Sequence, residues 1–193
     1  MAALAASCAA LLVTAAPAAA DTTCSIPASA PVLSTFGDQA NYTLLPGGSF
    51  ENGAPGWSLN NASVVEGNEP WQVGGSSDSS SLTIQPGGSA IAASGCATNL
   101  FPTFRFFAKS TPGAPASQLH VGVRWTTSWG LSGYTTLGNL DSGTYTSWQP
   151  TQSLPLGSLI PSGMTVYGRI VFTADPNGGA WNVDDVYVDP YAR

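Results

Sequence analysis

Clusters of glycine and proline interrupt this chain at short, nearly regular intervals, so few folds are open to it. Glycine contributes 22 and proline 15 of the 193 residues. Both residues are unfavourable inside helices, whereas clusters of them form tight turns. The main clusters lie at residues 46–48, 74–75, 86–88, 112–113 and 175–179. This spacing excludes a helical bundle and indicates many short strands.

The segments between these turns are rich in β-branched and aromatic residues, and each is short enough for one strand. Their number and spacing predict an all-β fold, a two-sheet antiparallel β-sandwich over residues 42–193. The predicted strands cover residues 42–45, 57–65, 71–73, 81–84, 89–92, 103–108, 118–126, 133–137, 144–149, 164–173 and 181–188.

Three of these segments alternate clearly between apolar and polar residues, which is typical of strands with one buried face. In residues 118–126, for example, Val121 and Val123 share one face and His120 and Arg124 share the other. The predicted outward faces of the three strands carry Arg105, Lys109, His120, Arg124, Tyr167 and Arg169. If the strands are neighbours, these residues form one cationic, partly aromatic surface.

The N-terminal segment has the pattern of an export signal. Residues 1–20 contain an apolar stretch followed by Ala18-Ala19-Ala20, a suitable cleavage site, although no basic residue follows Met1. The alternative, a membrane anchor, is disfavoured because about a dozen apolar residues are too few to span a bilayer. We therefore expect a secreted, extracellular protein without a membrane span, which begins with an extended arm over residues 21–41.

Export would leave two cysteines, Cys24 and Cys96, in an oxidising compartment. An isolated pair of cysteines in such a compartment is usually joined, so we expect a disulfide between them. A catalytic thiol is the alternative. It is disfavoured because the chain has a single histidine to activate it.

The charge of the chain and the absence of catalytic motifs argue against two classes of function, nucleic-acid binding and hydrolysis. The chain has 5 Lys and Arg against 11 Asp and Glu, a formal net charge of −6, which argues against binding nucleic acid. It contains neither a G-x-S-x-G nor an H-E-x-x-H motif, and its single histidine has no partner at a catalytic spacing. We therefore expect a monomeric, non-catalytic protein.

Two sequence stretches resemble a known family. The first stretch is Gly47-Gly48-Ser49-Phe50-Glu51-Asn52-Gly53 followed by Gly56-Trp57. The second runs from Trp181 to Val188 and includes Asp184-Asp185-Val186. Most of the mature chain lies between the two. They are similar to the first and last strands of carbohydrate-binding modules with a galactose-binding-domain-like jelly-roll fold. The complete chain also resembles small secreted actinobacterial proteins of unknown function, which implies no activity.

The family resemblance implies a jelly-roll sandwich and a structural calcium ion. Carried onto this chain, the calcium ligands would be Glu51 and either Asp184 or Asp185. Calcium prefers carboxylate and carbonyl oxygens, so these residue types are suitable. Neighbouring strand residues point to opposite faces, so at most one of the two aspartates would bind directly. The alternative is that these are ordinary carboxylates at strand ends.

The resemblance also implies a ligand site in which aromatic side chains stack on sugar rings. Trp129 and Tyr134 lie in a Ser- and Gly-rich segment that favours exposure, and packing in the core is the alternative for both. Arginines of the outward faces would suit an acidic sugar, because guanidinium groups bind carboxylates in pairs of hydrogen bonds. Pairing with loop carboxylates is the alternative. The candidate ligand-binding residues are Arg105, His120, Arg124, Trp129, Tyr134, Tyr167 and Arg169.

Together these features predict a secreted, non-catalytic binding module for a carbohydrate or cell-envelope polymer. The rival prediction is an extracellular structural or protein-interaction domain that keeps the sandwich without a sugar site. A small hydrolase with an unrecognised site is a third, weaker alternative.

Overall fold

The computed structural model describes residues 28–98, 103–111, 114–156 and 165–189. This part of the chain is built from strands, with a single 3₁₀ turn at Ser34–Phe36. No helix in it is long and apolar enough to cross a membrane. The strands are β1 (Thr43–Leu44), β2 (Ser58–Glu66), β3 (Ser80–Ile91), β4 (Gly95–Thr98), β5 (Thr103–Ser110), β6 (Gln118–Thr127), β7 (Ser132–Asp141), β8 (Gln149–Pro150), β9 (Leu154–Pro155), β10 (Thr165–Ala174) and β11 (Trp181–Asp189).

The strands form two antiparallel layers that are continuous through β3, which confirms the predicted sandwich. One layer runs β7-β6-β10 and then continues to β3, with β4 also paired to β10. The other layer runs from β3 through β11 and β5 to β8, with β1 and β9 at its margins. Strand β2 pairs along both halves of β3.

Strand β3 passes through Pro86-Gly87-Gly88, where two separate strands were expected. Residues Leu82 to Ile84 pair with β11, whereas Ser89 to Ile91 pair with β10. Gly87 adopts a positive φ of 72° at the bend, and an added Cβ on Gly88 would lie 2.4 Å from the Asn61 carbonyl oxygen. The turn sequence is therefore the corner at which one strand changes layers.

Alternation along the strands fills the space between the layers with apolar side chains. Phe106 of β5 and Phe172 of β10 meet edge to face at a centroid distance of 4.9 Å. Val121 and Ile170 are buried, while Arg124 is exposed, as the sequence predicts. Trp181 is completely buried in the same cluster. Aromatic side chains therefore fill the space between the layers, and polar side chains lie on the outward faces.

The sequence predicts that the outward face of β5 is exposed to solvent, but in the structure much of this face is covered. Residues 28–42 lie over it, and a second apolar cluster forms from Leu33, Tyr42, Phe107 and Tyr187. Phe107 is fully buried although it alternates with core residues, because the arm covers it. The arm thus adds a third, partial layer to this side of the sandwich.

Two predicted strands were wrong. Residues 71–73 lie in a turn and bend, and of the predicted strand 144–149 only the last residue belongs to a strand, Gln149–Pro150. Trp71 and its neighbours belong instead to the loop between β2 and β3. The predicted export signal and Cys24 lie outside the described residues, and only the backbone of Cys96 is described, paired with Tyr167. The disulfide therefore stays a prediction.

Candidate functional site

Three of the predicted ligand-binding residues lie side by side across three strands. Arg124 of β6 is directly opposite Arg169 of β10 on one side and Tyr134 of β7 on the other. Residues in register on neighbouring strands point to the same face of a sheet. Tyr134, Arg124 and Arg169 thus form a row, which we call the cationic row, on the outward face of the first layer.

Tyr134 is positioned by a glycine on the neighbouring strand. A Cβ added to Gly122 would stand 2.3 Å from the phenolic oxygen of Tyr134 and 2.5 Å from its Cζ, so the ring lies over Gly122. The Tyr134 side chain nevertheless remains 51% exposed. The ring is therefore supported from below and accessible from above.

The two arginines of the row differ in how they are held. Arg169 Nε donates to the Ala92 carbonyl at 2.7 Å, and its Nη2 donates to Ser58 Oγ at 3.3 Å. Arg124 is exposed and, within the described part of the chain, has neither a hydrogen bond from its side chain nor an ion pair. One guanidinium is thus fixed in place and the other is free to adjust.

The cationic row lines a concave surface that encloses about 440 Å³. Tyr167, which the sequence also predicts as a ligand-binding residue, contributes to this surface together with Ser94, Thr126 and Ser132. Aromatic rings, guanidinium groups and hydroxyls are the groups that bind sugars by stacking and hydrogen bonding. The surface thus combines a mostly apolar, aromatic lining with a few hydrogen-bonding groups.

His120 shares this face of β6 but is already engaged. Its Nε2 lies 2.8 Å from Oδ1 of Asp175, and its Nδ1 lies 2.9 Å from Oδ1 of Asn139. These contacts with Asp175 and Asn139 raise the pKa of His120. Because both ring nitrogens are engaged in these contacts, neither is free to take a proton from a nucleophile.

Arg105 does not join the row, because β10, β3 and β11 separate β5 from β6. The prediction that the three strands are neighbours holds for β6 and β10 and is wrong for β5. Arg105 Nη1 instead pairs with Asp38 Oδ2 at 2.8 Å, and its Nε donates to the Thr151 carbonyl. This places Arg105 beneath the N-terminal arm, on the opposite layer.

Trp129 lies at the tip of the hairpin between β6 and β7 and is 61% exposed, with Leu131 also exposed beside it. Thr127 stiffens this tip, since its Oγ1 accepts a hydrogen bond from Leu131 N at 3.0 Å. The packing alternative is therefore excluded for Trp129, as it is for Tyr134. Trp129 does not line the concave surface.

A second candidate site lies at a bulge in β11. The pairing of β11 with β5 shifts between Asp184 and Tyr187, and Asp185 has a positive φ of 47°. Both aspartates are buried as a result. Asp184 is fully engaged, since its Oδ2 accepts from Glu69 N at 3.2 Å and its Oδ1 from Asp185 N at 2.8 Å.

Asp185 is 99% buried and has an oxygen without a hydrogen-bond partner. Its Oδ2 accepts from Gly74 N at 3.0 Å, whereas its Oδ1 accepts no hydrogen bond, and neither does the buried Oδ2 of Asp78. Both unpartnered oxygens lie within 3 Å of the point where a Cβ would stand on Gly74. Burial raises the pKa of Asp185 to about 7, and the charges of Asp78 and Glu69 add to the rise.

Glu51 lies close enough to raise the pKa of Asp78, after burial, through its charge. Its own carboxylate accepts hydrogen bonds from Ser79 N at 2.9 Å and Ser80 N at 2.8 Å. Among the described residues, no three acidic, His or Cys side chains are grouped so that they could hold a metal ion. A calcium ion here would therefore need backbone carbonyls and water as well, which calcium commonly accepts.

Among the residues of these sites that the sequence reasoning missed are Gly122, Gly74, Asp78 and Asp175, the last of which engages His120. Gly122 could have been noticed as a glycine in the interior of a strand, which often marks a close approach. Asp78 and Asp175 carry no comparable local signal, because their partners are distant in sequence.

No protein-family model matches the chain, and no curated protein matches it. Solved structures do match. The chain is similar to the CBM22-1 and GH10 modules of endo-1,4-β-D-xylanase 10B from Clostridium thermocellum, complexed with xylohexaose, with 13% identity and a TM-score of 0.51. The match covers 73% of this chain and 27% of that one, so the chain spans about a quarter of that protein's length.

Two isolated modules are also similar. The CBM22-1 xylan-binding domain of Paenibacillus barcinonensis Xyn10C has 13% identity and a TM-score of 0.49, covering 75% of this chain and 93% of that one. The C-terminal family 22 carbohydrate-binding module of C. thermocellum Xyn10B has 16% identity and a TM-score of 0.47, covering 73% and 90%. At 13% identity, the match to the xylanase structure, with its TM-score of 0.51, concerns the fold alone, and that fold is a β-sandwich in this chain.

Proposed function

We propose that the protein is a non-catalytic carbohydrate-binding module whose ligand lies across the cationic row. The observation that carries this proposal is Tyr134, an exposed ring that is supported by Gly122 and lines a concave surface together with two arginines. Such a ring can stack on the apolar face of a sugar while Arg124 and Arg169 bond its hydroxyls. The fold is compatible with this role but does not by itself assign it.

Binding to immobilised polysaccharides, with Tyr134→Ala as the variant, tests this proposal. We expect the wild type to bind at least one plant or bacterial cell-wall polysaccharide, and the variant to lose about 1 kcal/mol or more of that binding. Trp71→Ala is the matched control, because Trp71 is also exposed (46%) but packs against Phe36 and Phe107 beside the arm.

The same assay separates the rival functions. A wild type that binds no polysaccharide favours the structural or protein-interaction domain predicted as the alternative. Release of reducing sugars from a bound polysaccharide contradicts the non-catalytic assignment. The engagement of both His120 nitrogens supports the absence of catalysis at that residue.

The acidic bulge supports a structural calcium ion as part of the proposal. Asp185 and Asp78 would hold it, because their unpartnered oxygens converge at Gly74. Of the two aspartates named from the sequence, Asp185 fits this role, since both oxygens of Asp184 accept backbone hydrogen bonds. Glu51 would lie close to the ion and orient the start of β3 through Ser79 and Ser80. Export from the cell likewise remains part of the proposal.

A further inference from the structure

We propose that the ligand of the cationic row is a polysaccharide that carries carboxylate groups, a uronic-acid polymer, bound between Arg124 and Arg169. This inference rests on the proposed carbohydrate-binding function and assigns the chemical class of its ligand. It uses two of the residues predicted from the sequence and leaves out Arg105 and His120, which have partners elsewhere.

The two arginines of the cationic row occupy an unfavourable position. Arg124 and Arg169 are direct cross-strand partners, and like charges in this position destabilise a sheet. The chain has only five Lys and Arg, yet two of them are placed opposite each other on one surface. Within the described residues, no carboxylate lies within ion-pair distance of either guanidinium. An anion bound between them would remove the repulsion.

The two arginines have N–H donors that the protein itself does not use. A guanidinium has five N–H donors in a planar fork, and Arg169 uses two of its N–H groups on Ala92 and Ser58. Those two hydrogen bonds fix Arg169 before the ligand arrives, which lowers the entropy lost on binding. Arg124 keeps its whole fork for the ligand. Such forks match the two oxygens of a carboxylate.

The surroundings of the two arginines also restrict the kind of ligand that suits them. Tyr134 stands on the far side of Arg124 in the same row, so a sugar ring stacked on it would present its substituents to the arginines. The net charge of the whole chain is −6, which repels a densely charged polyanion at long range. A polymer with at most one carboxylate per sugar suits this combination better than a highly sulfated one.

Affinity measurements by isothermal titration calorimetry test the inference with polygalacturonate and with the same polymer after chemical reduction of its carboxyl groups. We expect the wild type to bind polygalacturonate at least 10-fold more tightly than the reduced polymer. Arg124→Gln and Arg169→Gln should each weaken binding of polygalacturonate about 10-fold or more. They should weaken binding of the reduced polymer by a clearly smaller factor, because hydrogen bonds to neutral hydroxyls are weaker than those to a carboxylate. Lys109→Gln is the matched control, because it removes the same charge from β5 on the opposite layer.

The outcomes separate this inference from the function on which it rests. Equal affinity for the two polymers, with loss of both in Tyr134→Ala, overturns the uronic-acid inference and leaves the carbohydrate-binding function standing. If the protein binds neither polygalacturonate, nor its reduced form, nor neutral xylan, both the uronic-acid inference and the carbohydrate-binding function are overturned. Dextran sulfate identifies a third case. If the protein binds dextran sulfate more tightly than polygalacturonate, and Lys109→Gln weakens binding as much as the two arginine substitutions do, the attraction is general electrostatics and the inference is wrong.

Discussion

The ring of Tyr134 lies over Gly122 of the neighbouring strand, in space that any side chain at position 122 would occupy. The two residues are diagonal neighbours across the β6–β7 hairpin, since Tyr134 is in register with Arg124. A glycine at this position removes the obstacle that would otherwise lift the ring away from the sheet. The position of the Tyr134 ring, the proposed stacking platform, therefore depends on the absence of a Cβ atom at Gly122.

Gly122→Ala should weaken carbohydrate binding without unfolding the protein. The new Cβ would stand 2.3 Å from the phenolic oxygen of Tyr134, so the exposed ring must move and the stacking geometry is lost. We expect a loss of binding similar to that of Tyr134→Ala and a change of less than about 1 kcal/mol in the free energy of unfolding. Gly168→Ala is the control, because its added Cβ would meet only Val123 Cγ2 at 3.4 Å. Equal binding by wild type and Gly122→Ala contradicts this role for the ring.

The sequence could predict which face each residue occupies but not which strands are neighbours. Alternation within β6 and β10 correctly assigns Val121 and Ile170 to the core and Arg124 to the surface. The same reasoning separates the faces of β5 correctly, yet it offers no information that three strands lie between β5 and β6. Local patterns determine faces, whereas strand order depends on contacts between distant segments.

The candidate calcium site shows the same limit. Motif resemblance named Glu51 near the start of the sandwich sequence and either Asp184 or Asp185 near its end, without deciding between the two aspartates. The residues that complete the pocket, Asp78 and Gly74, come from a loop with no recognisable pattern. Gly74 N reaches Asp185 across 111 positions, a separation at which sequence periodicity carries no signal. The bulge that buries both Asp184 and Asp185 is likewise invisible in an alternating segment.

Arg105→Met should loosen the N-terminal arm while leaving carbohydrate binding unchanged. The substitution removes the partner of Asp38, whose carboxylate also accepts hydrogen bonds from Tyr42 at 2.7 Å and Ala40 N at 3.0 Å. Burial alone would raise the pKa of Asp38, but these bonds and Arg105 hold it below its ordinary value. Both side chains keep some contact with water, so we expect a loss of about 2 kcal/mol, less than for a fully buried pair.

Chemical denaturation measures this loss, and Lys109→Met provides the comparison. Lys109 Nζ lies 4.9 Å from the ring centre of Trp148, a contact worth about 1 kcal/mol or less at a solvent-accessible position. If the two variants lose equal stability, the ion pair beneath the arm has no special role. Reduced polysaccharide binding by Arg105→Met would indicate that the arm and the cationic row are coupled.

The contact between His120 and Asp175 should make stability depend on pH. Hydrogen bonds from Asp175 and Asn139 raise the pKa of His120 above its ordinary value of 6.5, so this stabilisation is complete below pH 6.5 and is lost as the pH rises through the folded-state pKa. The contact with His120 lowers the pKa of Asp175 below 3.8, so its contribution is lost as the pH falls below that value. The pair therefore stabilises most between about pH 4 and 6.5.

Urea denaturation of wild type and His120→Gln between pH 5 and 9 tests this dependence. We expect the wild type to lose stability relative to the variant as the pH rises, by less than about 1 kcal/mol, because the imidazole is more than a third exposed. Asp175→Asn should flatten the dependence in the same way. Parallel curves for wild type and His120→Gln would exclude a contribution from the pair.

Calcium should raise the melting temperature of the protein through Asp185 and Asp78. Their unpartnered oxygens face one point near Gly74 in a buried acidic environment, so a bound divalent cation would replace mutual repulsion by attraction. At a calcium concentration 100 times the dissociation constant, linkage predicts a gain of about 2.7 kcal/mol. That gain corresponds to roughly 5–10 °C for a domain of this size, measured by calorimetry in calcium and in chelator.

Four substitutions, one of them a control, determine whether the ion lies where the geometry places it. Asp185→Asn and Asp78→Asn should abolish the difference between calcium and chelator, because each removes a charged ligand. Glu66→Gln, at an exposed position on β2, should preserve the full difference and controls for net charge. Asp184→Asn should lower the melting temperature in both conditions but keep the calcium response, since its oxygens accept backbone hydrogen bonds from Glu69 and Asp185. A calcium response that survives Asp185→Asn and disappears in Asp184→Asn would reverse the assignment of the two aspartates.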